Sequence, residues 1–291
     1  MSGTPLTVAG AVAVLALYAA GVGRYQRRHP VRPFPLVRAA AFGTGIACAA
    51  AALGPPLDPL TAWLLTAHMG QHLLLMLIAA PLVLIGSPLT IARQSGVRAV
   101  ESIAGRLAHS RVLRAAGFPP LAWGFYTAVL AGSHFSPLYE AALEHPGVHV
   151  LEHALYFGAA LLFWQPVIGL DPSAWRMGYG LRLLYVAAAL PVQSLVGLAI
   201  FSAGRPLYPH YAIAAAVRGS SVLADQQAGG VLMWLGGGLP VLAAMLGTAA
   251  AWAAADRRRA DQLERASRSS RINPTQAPAA PSAPAAISHH P

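Results

Sequence analysis

The chain has 291 residues, 56% of them hydrophobic and only 10% charged. A soluble domain is charged at roughly a quarter of its positions, so this composition excludes an ordinary soluble fold and points to the bilayer. The formal net charge of +10 comes entirely from arginine, with no lysine present, and the arginines sit beside apolar runs, where they act as topology signals rather than as a nucleic-acid surface.

Seven apolar stretches, at about 5 to 23, 36 to 54, 63 to 86, 119 to 138, 148 to 170, 181 to 203 and 227 to 252, are each near the length of about 20 residues that crosses a hydrocarbon core as a helix. The expected fold is therefore an all-α integral membrane protein, a bundle of about seven transmembrane helices. The first stretch follows an uncharged leader and is itself followed by Arg24, Arg27 and Arg28. That is the reverse of a cleavable signal, and it predicts a retained helix with its N-terminus outside. Cys48, the single cysteine, lies in the second stretch and can complete neither an internal disulfide nor a CxxC motif.

The third stretch enters from outside at Trp63 and reads His68-Met-Gly-Gln-His72-Leu-Leu-Leu-Met76. The connection that follows holds an amphipathic segment, Val97 to Leu113, suited to a helix on the inner membrane surface. The fourth stretch runs outward to His134, and the fifth begins His149-Val-Leu-Glu152-His153. The seventh opens with Asp225-Gln226-Gln227 and carries Gly229, Gly230, Gly236, Gly237 and Gly238, small residues that let helices approach closely. After Trp252 the composition turns Arg-rich and then Pro-, Ala- and Ser-rich, ending at His289-His290-Pro291. This divides the chain into a membrane domain, 1–254, and a cytoplasmic tail, 255–291, expected to be disordered. Alternating the connections across the membrane places 18 of the 20 arginines inside, leaving only Arg205 and Arg218 outside.

In that orientation His68, His72, His134, His149 and His153 all fall at one level, near the outer face. The four-residue spacing of His68/His72 and of His149/His153 stacks each pair on one helix face. Ionisable groups within a span cost several kcal/mol unless they are partnered, so such a layer points to an interior functional site. Neutral imidazole binds copper, zinc or iron, and a thioether such as Met76 or Met69 favours Cu(I). Five nitrogens exceed the needs of one tetrahedral ion. Either two ions bind, or some rings stand behind the ligands, with Glu152 and Asp225 orienting imidazoles through their second nitrogen. The competing reading is interhelical hydrogen bonding worth about 1 kcal/mol or less per contact. His145 and His210, in outer loops, read as solvated surface residues.

The run His68-Met-Gly-Gln-His72 with Pro81 and Gly86-Ser-Pro88-Leu-Thr90, then His134 with Pro137-Leu-Tyr139, His149-Val-Leu-Glu152-His153, Phe163-Trp164 and Asp225-Gln226-Gln227-Ala-Gly229 with Trp234, resembles the multi-spanning CtaG family of bacterial cytochrome c oxidase assembly factors. The resemblance covers about residues 55 to 250. It implies a multi-pass plasma-membrane protein, a non-catalytic factor whose partners are cytochrome c oxidase subunits. The family's histidine positions carry over to His68, His72, His134, His149 and His153, with Asp225 as the acidic partner. Copper as their ligand is inferred from side-chain chemistry. The chain shows no attached second membrane domain of the copper-import type, so it is expected to act as a stand-alone module. Two other classes compete: a copper transporter or permease, for which only Gln193 and Met177 extend the donor path inward, and a haem- or metal-dependent membrane enzyme.

Overall fold

The computed structural model of the protein describes residues 3–272, with side chains from 5 to 268, and among them every regular element is helical. In chain order these are α1 (Gly3–Arg28), α2 (Leu36–Ala52), α3 (Asp58–Thr61), α4 (Leu65–Leu73), a π-helical turn (Leu74–Ala79), α5 (Ala80–Ile85), α6 (Pro88–Arg93), α7 (Arg98–His109), α8 (Arg111–Ala116) and α9 (Pro119–His134). Then follow α10 (Pro137–Glu144), α11 (Pro146–Ile168), α12 (Tyr179–Ala187), α13 (Ala189–Ser202), α14 (Pro209–Arg218), α15 (Val222–Val231), a second π-helical turn (Leu232–Gly236) and α16 (Gly237–Ile272).

Five helical segments are long and apolar enough to cross a membrane: Pro5–Arg28, Leu65–Arg93, Pro146–Ile168, Tyr179–Ser202 and Val222–Arg268. The other two expected spans form shorter helices, α2 with 17 residues and α9 with 16. At 1.5 Å per residue these reach about 25 Å, short of a hydrocarbon core of about 30 Å. Prolines set their limits. Pro35 stands extended before α2, and Ser136, held extended by Pro137, separates α9 from α10. The amphipathic segment after the third span, expected as one helix, forms two, α7 and α8, because Ser110 leaves the helical conformation and caps the second.

Both π turns precede a proline, Pro81 after the first and Pro240 after the second. Proline lacks the N–H that an α-helix spends on the carbonyl four residues back and collides with that carbonyl, and a locally wider turn relieves both problems. The cost is register: residues beyond the turn no longer continue the stripe set by α4.

Two aspartates hold the ends of the third span in the same way. Asp225 accepts the backbone N–H groups of Leu65 at 2.7 Å and Thr66 at 3.3 Å, and the Thr66 hydroxyl at 2.7 Å. Asp171 accepts the N–H groups of Leu89 at 3.2 Å and Thr90 at 2.8 Å, and the Thr90 hydroxyl at 2.7 Å. Each carboxylate is a helix N-cap supplied from a distant part of the chain, meeting donors that have no partner within their own helix. Burial raises the Asp171 carboxyl above the usual carboxylate range, and its bonds to Thr90 and Leu89 oppose that shift. Elsewhere α13 and α15 touch backbone to backbone: a Cβ on Gly197 would lie 2.8 Å from the Gly230 carbonyl oxygen, and one on Gly230 would lie 2.6 Å from the Phe201 nitrogen.

The chain divides into two compact units, Met1–Leu246 and Gly247–Pro291. The second corrects the expectation of a disordered tail from residue 255, because α16 continues to Ile272. Alanine is abundant in it, and Asp256–Arg259 and Glu264–Arg268 pair at helical spacing, a local preference that the charge count alone concealed. The rest of the expected tail, with His289 and His290, lies outside the described residues.

Replacing Asp225 with Ala removes the cap on α4, and the expected loss is about 1–2 kcal/mol. A lowered thermal unfolding midpoint in detergent, with Asp225→Asn falling between variant and wild type, is the expected result.

Candidate metal centre

The five histidines expected to meet do meet. His68 and His72 come from α4, His134 from the last turn of α9, and His149 and His153 from the first turns of α11. Ring centroids lie 4.5 Å apart for His68–His72, 5.3 Å for His68–His149, 4.2 Å for His149–His153, 5.9 Å for His72–His153 and 6.2 Å for His72–His134. All are buried except His149, which is half-buried. Tyr156 stacks on His72 with centroids 3.9 Å apart.

The hydrogen bonds determine which ring nitrogens are free. The Tyr211 hydroxyl donates to the Thr61 carbonyl at 2.7 Å and therefore receives the proton of His68 Nδ1 at 2.9 Å. Burial pushes the Tyr211 phenol well above the ordinary tyrosine range, which keeps this donor protonated. His68 Nε2 is thus a lone pair. Gln71 donates its amide to the Ala52 carbonyl at 2.7 Å and to Asp58 at 3.2 Å, so its Oε1 accepts from His153 Nε2 at 2.9 Å. That leaves His153 Nδ1 as the free nitrogen. His134 Nδ1 lies 2.7 Å from the Leu130 carbonyl, a contact that requires a proton on that nitrogen and leaves Nε2 bare. His149 Nε2 and His72 Nδ1 are buried without hydrogen-bond partners.

Glu152 stands among these groups, completely buried, and neither carboxylate oxygen has a hydrogen-bond partner. Its Oε2 lies 3.5 Å from His68 Nε2 and 3.7 Å from His72 Nε2, and those nitrogens are 3.1 Å apart. A tetrahedral ion with bonds of about 2.0–2.1 Å separates its donors by roughly 3.3 Å. The three atoms therefore outline one face of a coordination polyhedron. A second group, with one donor atom each from His68, His149 and His153 all within 4.8 Å of one another, shares His68 with the first. A cavity of about 410 Å³ beside α9 and α11, lined by Phe125, Gly132, Ser136 and Leu155, reaches Glu152 and Tyr156.

Two residues expected at the site are elsewhere. Asp225 spends its carboxylate on the N-terminus of α4 and orients the histidine-bearing helix instead of an imidazole. Met76 lies beyond the start of the π turn, buried in the apolar core with its carbonyl accepting from Trp164 Nε1 at 2.9 Å. The thioether that reaches a histidine is Met69, whose Sδ lies 3.3 Å from His134 Nε2. Gln71 and Tyr211, which set two tautomers, are not legible from periodicity. Tyr211 is 143 residues from His68 in sequence, and Gln71 reads as an ordinary packing amide. His210 is tied down as well, its Nε2 lying 2.9 Å from the Ala62 carbonyl.

Residues 16–255 match the cytochrome c oxidase caa3 assembly factor family (Caa3_CtaG), and the chain belongs to that family. The uncharacterized protein Mb0105 of Mycobacterium bovis is 28% identical over 273 residues, covering 89% of this chain and 40% of its own length. The uncharacterized protein ML1998 of Mycobacterium leprae is 24% identical over 259 residues, covering 85% of this chain and 38% of its own length. The chain thus spans about two fifths of the length of these curated relatives. No solved structure matches it significantly.

Removal of an orienting partner behind a metal ligand typically weakens metal binding about 10–100-fold. Tyr211→Phe is expected to do so for Co(II), titrated into the detergent-purified protein by absorbance, while the circular dichroism remains that of the wild type. Unchanged affinity would show that His68 needs no such partner.

Proposed function

We propose that this Caa3_CtaG protein is a bacterial plasma-membrane assembly factor that takes up copper near the outer face and presents it to a maturing cytochrome c oxidase subunit. The observation that carries the reading is Glu152. A carboxylate with no hydrogen bond, shut away from water, is among the costliest groups a protein interior can hold. Here it sits against two imidazole nitrogens at ligand-to-ligand spacing. A cation at that point balances the charge and takes a lone pair from each ring, with the proton that His72 Nε2 shares with His68 Nε2 at 3.1 Å moved to His72 Nδ1, which has no other partner. Imidazole and carboxylate donors suit copper, zinc and iron alike; family membership favours copper, because the oxidase to be assembled is a haem-copper enzyme.

In this reading α2 and α9 complete a seven-span bundle with the N-terminus outside, and the arginine distribution supports that orientation. The role is to bind and release an ion without chemical turnover. A permease would need donors continuing inward. Gln193 donates to the Met233 carbonyl at 3.2 Å, and Met177 is buried in the apolar core, so the two inner candidates are occupied in packing.

Replacing His72 or His153 with Ala should lower active cytochrome c oxidase at least about tenfold under copper limitation, since removing even a partner behind a metal ligand costs that much. Immunoblots should show this protein at normal abundance, and added external copper should restore part of the activity. Parallel loss of protein and oxidase would favour interhelical packing as the role of these rings, and full activity in both variants would remove copper handling. Topology has its own test. A thiol introduced by Val97→Cys, with Cys48 replaced by Ala, should react with an impermeant maleimide in inverted vesicles and not in intact cells.

A further inference from the structure

His134 and Met69 make a contact that ordinary hydrogen bonding does not explain. His134 Nδ1 carries its proton toward the Leu130 carbonyl at 2.7 Å, with the Tyr156 hydroxyl at 3.1 Å and the Ser133 hydroxyl at 3.2 Å from the same nitrogen. In the uncharged ring Nε2 is therefore a bare lone pair. It faces Met69 Sδ at 3.3 Å, and a thioether also has no proton to give. Both side chains are buried, Met69 completely. Two acceptors stand in van der Waals contact with no donor between them, in a place that water does not reach.

We propose that His134 Nε2 and Met69 Sδ form a soft-ion site selective for univalent copper, separate in chemistry from the nitrogen-and-carboxylate set of His68, His72 and Glu152. The proposal rests on the copper-handling reading and extends it to an oxidation state. A cation bound to both atoms gives two unsatisfied lone pairs a common partner, and thioether sulfur prefers Cu(I) over the harder divalent ions. Taking metal–nitrogen and metal–sulfur bonds of about 2.0 and 2.3 Å, a 3.3 Å separation corresponds to an angle of roughly 100° at the metal, a little under the tetrahedral angle.

The surroundings hold both donors in place. The Leu130 carbonyl orients the imidazole as the outer partner of a ligating histidine does. On the other side, a Cβ at Gly229 would come within 3.3 Å of Met69 Cγ, so the glycine leaves the thioether its space. Met69 follows His68 directly and precedes His72 by three positions on α4, and the His72 and His134 rings are 6.2 Å apart. The soft pair is thus beside the nitrogen-and-carboxylate set.

The test is X-ray absorption at the copper edge on detergent-purified protein loaded anaerobically with one equivalent of Cu(I). The wild type should show sulfur scattering near about 2.3 Å. Met69→Leu, a swap of similar volume that cores tolerate well, should abolish that scattering and weaken Cu(I) binding at least tenfold in competition with bathocuproine disulfonate. His134→Ala should weaken Cu(I) binding to a similar extent. Co(II) affinity should stay at the wild-type value in Met69→Leu and fall in His72→Ala. Bound Cu(I) with nitrogen scattering alone in the wild type would overturn the soft site while leaving the copper-handling proposal intact. Sulfur scattering that persists in Met69→Leu would also overturn it, since another methionine would then be the ligand. Failure of the wild type to bind copper in either oxidation state would overturn both proposals.

Discussion

A polar atom buried in a membrane bundle has no water to turn to, so each must find a partner in the protein or in something the protein binds. Around the histidine layer this requirement is met outward and left unmet inward. The outward nitrogens of His68, His134 and His153 are taken by Tyr211, the Leu130 carbonyl and Gln71. Those partners fix the tautomers, and the tautomers leave the remaining nitrogen of each ring without a proton. Glu152 adds a carboxylate free of hydrogen bonds. The result is a set of electron-pair donors with too few protons among them, and on that shortage the proposed cation site rests.

That set depends on helices held at fixed height. Asp225 and Asp171 cap opposite ends of the third span through the same Leu-Thr arrangement, one using Leu65 and Thr66, the other Leu89 and Thr90. Backbone contact between α13 and α15 at Gly197 and Gly230 packs the span that carries Asp225. The π turns absorb Pro81 and Pro240 without ending the spans in which they occur. The histidines on α4 lie before the first of these turns, so their four-residue stripe is undisturbed, whereas Met76 lies within it.

The two proposed sites differ in the donors they offer. His68, His72 and Glu152 present nitrogen and oxygen, while His134 and Met69 present nitrogen and sulfur. The separation comes from a single helix: α4 directs His68 and His72 toward Glu152 and turns Met69, one residue along, toward α9. The cavity reaching Glu152 beside α9 and α11 lies next to this arrangement.

Hydropathy, helical periodicity and residue chemistry were enough to read much of this protein from its sequence. Apolar length marked the helices, because a single unbroken apolar segment satisfies its own backbone in lipid only as a helix. Four-residue spacing paired the histidines, and the cost of five rings at one depth required that they converge. Two kinds of feature needed the tertiary structure. Register along a proline-bearing span depends on where the helix widens ahead of the proline, so Met76, inside the π turn, left the histidine stripe, while Met69 reached His134 only because α9 packs beside α4. Partner choice among distant polar groups depends on which helices become neighbours, so Asp225 became a cap on α4 and Tyr211 set the tautomer of His68 from 143 residues away. Local sequence carries the first turn of such arguments, since helix geometry is periodic and short-ranged. Only the packed bundle decides which lone pairs are left over, because a proton's position is settled by all of a ring's neighbours at once.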